Sequence, residues 1–217
     1  LGSSLPEETF VTDLVFYMMT PPSRAAIARW MLEETGAPYE TVVLDRTKDE
    51  QRGADYLKIN PMGKVPALKH GDALITEAAA ICLYLADAFP QSDLGYPVGA
   101  SERGAFLKWL FFAPSCIEPA ILDIAFPRKE TAPRGAVGYG DFQTVMDVVA
   151  DAVRGRPYIA GDKFTAADVV VGSQLRWGQS FGVVPKRDEF NTYLAGLQAR
   201  PAFQRAVDLD EAIKKPA

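Results

Sequence analysis

Residues 60–68, Asn-Pro-Met-Gly-Lys-Val-Pro-Ala-Leu, carry the sharpest chemical signal in the chain. A proline directly after an apolar residue at a strand start is a place for a cis bond, here Val65–Pro66, of the kind used in tight turns. Such a bond leaves the backbone N–H and C=O of Val65 facing outward, where they can pair with an extended peptide as an added strand. Val-Pro alone also fits a plain loop running into an edge strand, where proline is tolerated. Nine residues past Leu68, Glu77 follows Thr76 at the start of an apolar helical run. Thr76 is expected to cap this helix and Glu77 to occupy its first turn. Free N–H groups at such a start suit a carboxylate. The Glu77 side chain suits an ammonium, or else simply complements the helix dipole. A ligand with an α-amino-acid end would use both.

Other reactive residue types give weaker signals. Cys82 and Cys116 show neither metal nor redox spacing, and one histidine, His70, cannot build a histidine-rich site. No metal is expected. Cys82 sits among Ala, Ile and Leu and reads as core. Cys116, between Pro114 and Pro119, reads as a small packed residue, and His70 as a hairpin surface residue. Thr165 and Asp168 have N-cap and N3 spacing, with Phe164 and Val169 able to staple the entry, so this pair is structural.

The elements that must position these residues follow from periodicity. Asp13–Met19 is a compact apolar run and reads as a buried strand, broken by Thr20-Pro-Pro-Ser23. From Arg24 the pattern turns helical, with Ile27, Trp30 and Met31 on one face and Gly36 as the stop. Residues 39–44 are a second strand, and 49–59 one irregular helix. A hairpin of 65–69 and 73–75 around Gly71-Asp72 follows, then a helix to about Phe89. The order βαβ-α-ββα, with the first two strands parallel and the hairpin antiparallel, is the thioredoxin-like arrangement. Pro90–Gly99 has linker composition. Beyond it come helical segments at 101–115, 141–154, 165–181, 189–200 and 202–207, an all-α bundle. The chain is thus expected to divide into an α/β domain at 11–91, a linker at 92–99 and an all-helical domain at 100–217.

Size and charge narrow the function. The 217 residues suffice for a sizeable core, and 48% apolar and 24% charged residues are ordinary for a globular protein. The net charge is −5, and the acidic excess lies entirely before residue 92, so there is no basic face for phosphates. Nucleic acid and anionic membrane are not expected partners. No run reaches the roughly 18–20 uninterrupted apolar residues of a membrane helix. Residues 1–10 do not read as a signal peptide. A reduced, cytoplasmic protein is expected.

The motif at 60–68 followed by Thr-Glu-x-x-Ala-Ile resembles the glutathione-binding half of the cytosolic glutathione transferases. Thr20-Pro-Pro-Ser-Arg-Ala25 resembles the turn after strand one in the theta-like branch, and Phe164-Thr-Ala-Ala-Asp-Val169 resembles the capping motif of the family's helical domain. The likeness spans roughly residues 13–207, with its motifs in order, and points to a theta- or nu-like bacterial member. It implies glutathione as co-substrate, with Val65 pairing the cysteinyl unit beside Pro66, Glu77 and the Ala78 N–H holding the γ-glutamyl end, and Lys64 reaching the glycyl carboxylate. It implies Thr20, with Ser23 as runner-up, as the hydroxyl that stabilises the thiolate. A free thiol titrates near pH ~8.5, so a donated hydrogen bond and a helix N-terminus raise its ionised fraction. Thr20 also fits a plain turn threonine, and Ser23 a helix cap.

An electrophile would lie across the cleft, against Tyr17, Trp109, Phe112, Ser115 and Trp177, with Trp109 or Phe112 expected to line the pocket. A homodimer is implied by the family. Two departures stand out. Ala78 occupies a position where many members carry serine. Arg24 stands where the beta branch has a first-turn cysteine. The readings left open are a transferase acting on a small electrophile, another glutathione-dependent enzyme (disulfide reductase, dehalogenase or isomerase), and a non-catalytic interaction protein on the same fold.

Overall fold

The computed structural model describes residues 13–130 and 132–214; the readings at residues 1–12 and 215–217 lie outside them. Strand β1 (Leu14–Met19) buries Leu14, Phe16 and Met18, and its other face is only half-buried. Helix α1 (Ala25–Thr35) ends at Gly36, whose φ of 68° is the left-handed conformation that closes a helix. Strand β2 (Glu40–Leu44) is an exposed edge. The segment expected as one irregular helix is split instead. Asp45 accepts the Thr47 N–H at 2.8 Å and nucleates a 3-10 turn, a second turn follows, and only Ala54–Ile59 is α-helical (α2). A side chain that satisfies the backbone locally competes with a continuous helix.

Strands β3 (Ala67–His70) and β4 (Ala73–Thr76) form the hairpin, and helix α3 (Ala78–Ala88) follows. The sheet order is β2-β1-β3-β4, with β1 and β2 parallel and the other pairs antiparallel, as the connections require. Thr76 closes β4 rather than capping α3. The N-cap is Glu77.

The segment after α3 is packed rather than loose. Leu94 is 3% exposed, and its carbonyl accepts the Ala166 N–H at 2.8 Å. Helix α4 (Arg103–Phe112) then runs through a π-helical turn at Ala113–Ile117 into α5 (Glu118–Ala125). Pro114 and Pro119 would break or bend a regular helix, but the widened turn absorbs them and the rod continues. By length and composition residues 103–125 could cross a membrane. In this fold Phe106, Leu110, Ala113, Ile117 and Ala120 are fully buried, and that stripe is the bundle core. Helices α6 (Phe142–Val153), α7 (Ala166–Ser180), α8 (Asp188–Gln198) and α9 (Pro201–Lys214) complete it. Helix α9 extends well past Val207, where the apolar pattern fades.

Helix α1 is the seam between the two halves. It is buried on nearly all sides, as expected of a helix packed on both faces. Trp30 meets Phe203 at 4.9 Å and Phe164 at 6.0 Å. Arg29, 2% exposed, donates to Asp210 at 2.7 Å and to the Tyr39 hydroxyl at 3.1 Å. Glu34 takes a bidentate bond from Arg200 at 2.7 Å, and Glu33 one from Arg205 at 3.0 Å. On α7, Gly172 lets Leu197 approach so closely that a Cβ there would meet its Cδ1 at 2.5 Å.

Asp168 organises the bundle end. Its carboxylate accepts from the N–H of Thr165 at 2.9 Å, the N–H of Ile159 at 2.8 Å and the Tyr193 hydroxyl at 2.9 Å. Burial pushes this carboxyl up to about 6, with those hydrogen bonds pulling it back. The expected capping box on α7 is present.

Candidate functional site

The loop entering β3 is held from behind. Asn60, 3% exposed, ends α2; its Oδ1 accepts the Met62 N–H at 3.0 Å and its Nδ2 donates to the Lys64 carbonyl at 2.8 Å. The Tyr56 hydroxyl donates to the same carbonyl at 2.6 Å. Gly63, at φ 60°, provides the left-handed step, where an added Cβ would meet the Gln51 carbonyl at 3.0 Å. With Lys64 fixed, the next peptide, Val65–Pro66, is cis. The backbone N–H and C=O of Val65 have no partner among the described residues. Asn60 and Tyr56 were not singled out from the sequence as site residues, although the Asn-Pro-x-Gly spacing of a turn was the available signal.

Glu77 lies beside this edge with φ 67° and ψ 123°, a conformation that strains any residue with a Cβ. Its side chain is exposed and forms no hydrogen bond or ion pair among the described residues, and α3 begins without a side-chain cap. The carboxylate and the first N–H groups of α3 are therefore both available to a ligand. Strain of this kind costs about 1–3 kcal/mol and concentrates at functional sites.

The turn after β1 completes one wall. Continuing the antiparallel register beyond Tyr17–Ala67 sets Met19 opposite Val65, so the turn begins at the free edge. Arg46 pins this turn, donating to the carbonyls of Thr20 at 3.1 Å and Pro22 at 2.8 Å. The Thr20 hydroxyl has no partner among the described residues, whereas Ser23 Oγ accepts the Ala25 N–H at 3.3 Å. Arg46 was not foreseen, because nothing local marks a distant arginine as a turn clamp.

Two cavities open between the halves. A cleft of about 720 Å³ is lined by Lys64, Val65, Pro66, Glu77 and Ala78 from the sheet side, and by Phe111, Pro114, Glu118 and Gln174 from the helices. A smaller recess of about 240 Å³ lies between the turn, α7 and α9. Arg24 borders both. It pairs with Glu118, whose other oxygen accepts from Gln174 at 2.7 Å, and lies 5.3 Å over the Trp177 ring.

The expected aromatic wall is placed differently. Trp109 is 5% exposed and packs edge-on against Phe112 at 5.2 Å, and neither lines the cleft. Ser115 is exposed, donates to the Phe111 carbonyl and also lies outside it. Tyr17 packs 5.9 Å from Tyr56. Phe111 and Pro114 take the cleft position, and Trp177 lines the recess with Phe181. Cys82 is fully buried, and burial pushes its thiol well up. His70 meets the Tyr84 hydroxyl at 3.0 Å and stacks on Phe89.

Comparison with known proteins agrees with this architecture. The sequence profile of the family described as Glutathione S-transferase, N-terminal domain, matches residues 13–87. A probable glutathione S-transferase of Oryza sativa subsp. japonica is 30% identical over 207 residues, covering 86% of this chain and 91% of that one. The crystal structure of a glutathione transferase from Methylococcus capsulatus superposes with a TM-score of 0.76 at 30% identity, over 92% of this chain and 99% of the other. A sphingomonad glutathione S-transferase complexed with glutathione superposes with a TM-score of 0.74 at 28% identity, over 91% and 98%.

Proposed function

The chain belongs to the glutathione S-transferase family and is a glutathione transferase, and from that premise we propose how its residues divide the work. Glutathione lies extended in the larger cleft. Its cysteinyl unit pairs with the Val65 backbone beside Pro66, and its γ-glutamyl ammonium meets Glu77. The γ-glutamyl carboxylate meets the N–H groups of Ala78 and Ala79. Lys64, exposed on the same loop, takes the glycyl carboxylate. The sphingomonad relative, solved with glutathione, supports that ligand. The observation that carries the reading is the free Val65 edge next to an unpaired Glu77 held in a strained conformation.

The sulfur then sits by the turn after β1. Thr20 donates its unengaged hydroxyl to the thiolate, with Ser23, whose oxygen already accepts a backbone N–H, second in line. The N-terminus of α1 adds its partial positive charge. The thiol proton passes to solvent. The sulfur bonds an electrophilic carbon, and the leaving group departs with its electron pair. Phe111 and Pro114 bring apolar surface to the electrophile, and Trp177 extends that surface toward the recess. An enzyme thiol is not needed, since Cys82 is buried and the first turn carries Arg24 instead of cysteine.

The domain division at 11–91, 92–99 and 100–217, a homodimer and a cytoplasmic site of action are parts of the same proposal; two unpaired cysteines fit a reducing compartment. The test is retention on immobilised glutathione together with the ultraviolet absorbance of a bound thiolate. Retention without thiolate absorbance would leave a binding protein and refute the catalytic assignment.

A further inference from the structure

The charges around the smaller recess do not cancel. Arg24 is paired with Glu118, Asp210 with Arg29 at 2.7 Å, and Lys214 with Glu211 at 2.6 Å. Among the described residues Arg176 is held by no such contact, and only the Asp210 carboxylate, already bonded to Arg29, acts on its charge from farther off. The Arg176 guanidinium faces the Phe203 ring at 5.4 Å, forms no hydrogen bond or ion pair among the described residues, and keeps Nε buried without a partner. A buried guanidinium N–H such as this Nε normally finds an acceptor, because it loses water without replacement.

The walls specify what would fit. Trp177, Phe181, Pro22 and Val207 are apolar, and Ser23 and Arg24 connect the recess to the turn beside the sulfur. With Asp210 shared between Arg29 and Arg176, Glu118 on Arg24 and Glu211 on Lys214, these groups carry one net positive charge, which matches a monoanion better than a dianion such as a phosphate. A planar guanidinium matches a carboxylate in two-point geometry. From this unpaired arginine in a half-apolar recess, we infer that the second substrate carries an aryl carboxylate, its ring against Trp177 and Phe181 and its carboxylate on Arg176.

The inference rests on the transferase reading, and the experiment keeps the two separable. A chlorodinitrobenzoate and its methyl ester share one electrophilic ring, where the glutathione sulfur bonds the ring carbon and chloride leaves with the electron pair. The kcat/KM of each, divided by its uncatalysed rate with glutathione, is expected to favour the acid by roughly 10- to 100-fold. In Arg176→Gln that preference falls to near parity, and Arg176→Lys retains part of it. Calorimetric binding of nitrobenzoate, which undergoes no transfer, is expected to weaken in Arg176→Gln by a similar factor. If neither electrophile turns over, the transferase reading fails for these substrates, while nitrobenzoate binding still decides the recess. Should Arg176→Gln not fold, the wild type is compared on nitrobenzoate and neutral nitrobenzamide. Equal handling of acid and neutral forms by the wild type, or a preference that survives in Arg176→Gln, overturns the proposal.

Discussion

Replacing Glu77 separates backbone from side chain at the glutathione site. At φ 67° and ψ 123° a residue with a Cβ carries about 1–3 kcal/mol of strain. Glu77→Gly removes that strain, and the freer unfolded chain takes back about 0.5–1 kcal/mol. The side chain makes no bond in the described structure, so nothing else is lost. The net expectation is a gain of about 0.5–2 kcal/mol, read as a rise in Tm at about 2–4 °C per kcal/mol for a chain of this size. The same variant loses the ammonium partner, and a hydrogen bond to a charged group contributes about 1.5–3 kcal/mol, or roughly 10- to 150-fold in Kd for glutathione. Glu77→Gln keeps the strain and loses the charge, so its Tm stays within about 1 °C while glutathione binding weakens about as much. Calorimetric titration and thermal unfolding of both variants read the two effects independently. Glutathione affinity within threefold of wild type in Glu77→Gln would refute the role given to the carboxylate. A Tm drop in Glu77→Gly would refute the account of strain.

Thr20→Ala is expected to raise the pKa of bound glutathione and lower kcat/KM about 10- to 100-fold, with Thr20→Ser close to wild type; an unchanged thiol pKa in the alanine variant removes Thr20 from the mechanism. Phe111→Ala should raise the KM for the electrophile at little cost in stability, whereas Trp109→Ala should cost about 3–5 kcal/mol of stability, both separable by kinetics and denaturant unfolding. Asp168→Ala strands the Tyr193 hydroxyl and two N–H groups and should cost about 2–4 kcal/mol in urea unfolding. The Asp168 carboxyl is raised in the fold to about 6 from its ordinary 3.8. Its titration therefore favours the fold fully below about pH 4, and that contribution fades as the pH climbs through 6. Asp168→Asn should flatten this part of the stability profile.

Features fixed by adjacent residues were readable in the sequence. The succession of strands and helices before residue 90, the Val65–Pro66 peptide and the Thr165–Asp168 cap each depend on a few consecutive positions. Glu77 stands out in the sequence as a candidate ligand group, but its positive φ does not, because glutamate gives no sign of the conformation that glycine would advertise. The aromatic wall was misplaced for a physical reason. Three-residue spacing groups Trp109 with Phe112, yet the row Phe106, Leu110, Ala113 and Ile117 is the buried one, and Trp109 packs with it. Phe111 lies off that row at 47% exposed, which is the mark of an apolar residue facing a cleft. Arg24 with Glu118, Arg29 with Asp210 and Arg46 with the turn after β1 join residues far apart in sequence, and no local pattern announces such partners. The polar tail of α9 looked like an ending because its key contact, Asp210, is a buried charge.

The seam at α1 has a consequence for how the gene can be cut. Arg29, Glu33, Glu34 and Trp30 each have a partner beyond residue 160. Severing the chain after the sheet would strip Arg29 of its carboxylate and leave it a cation on a greasy surface, with Phe203 and Asp210 uncovered on the other piece. Each fragment is expected to be less stable alone, and a swap against a homologous half is expected to succeed when both sides of this joint travel together.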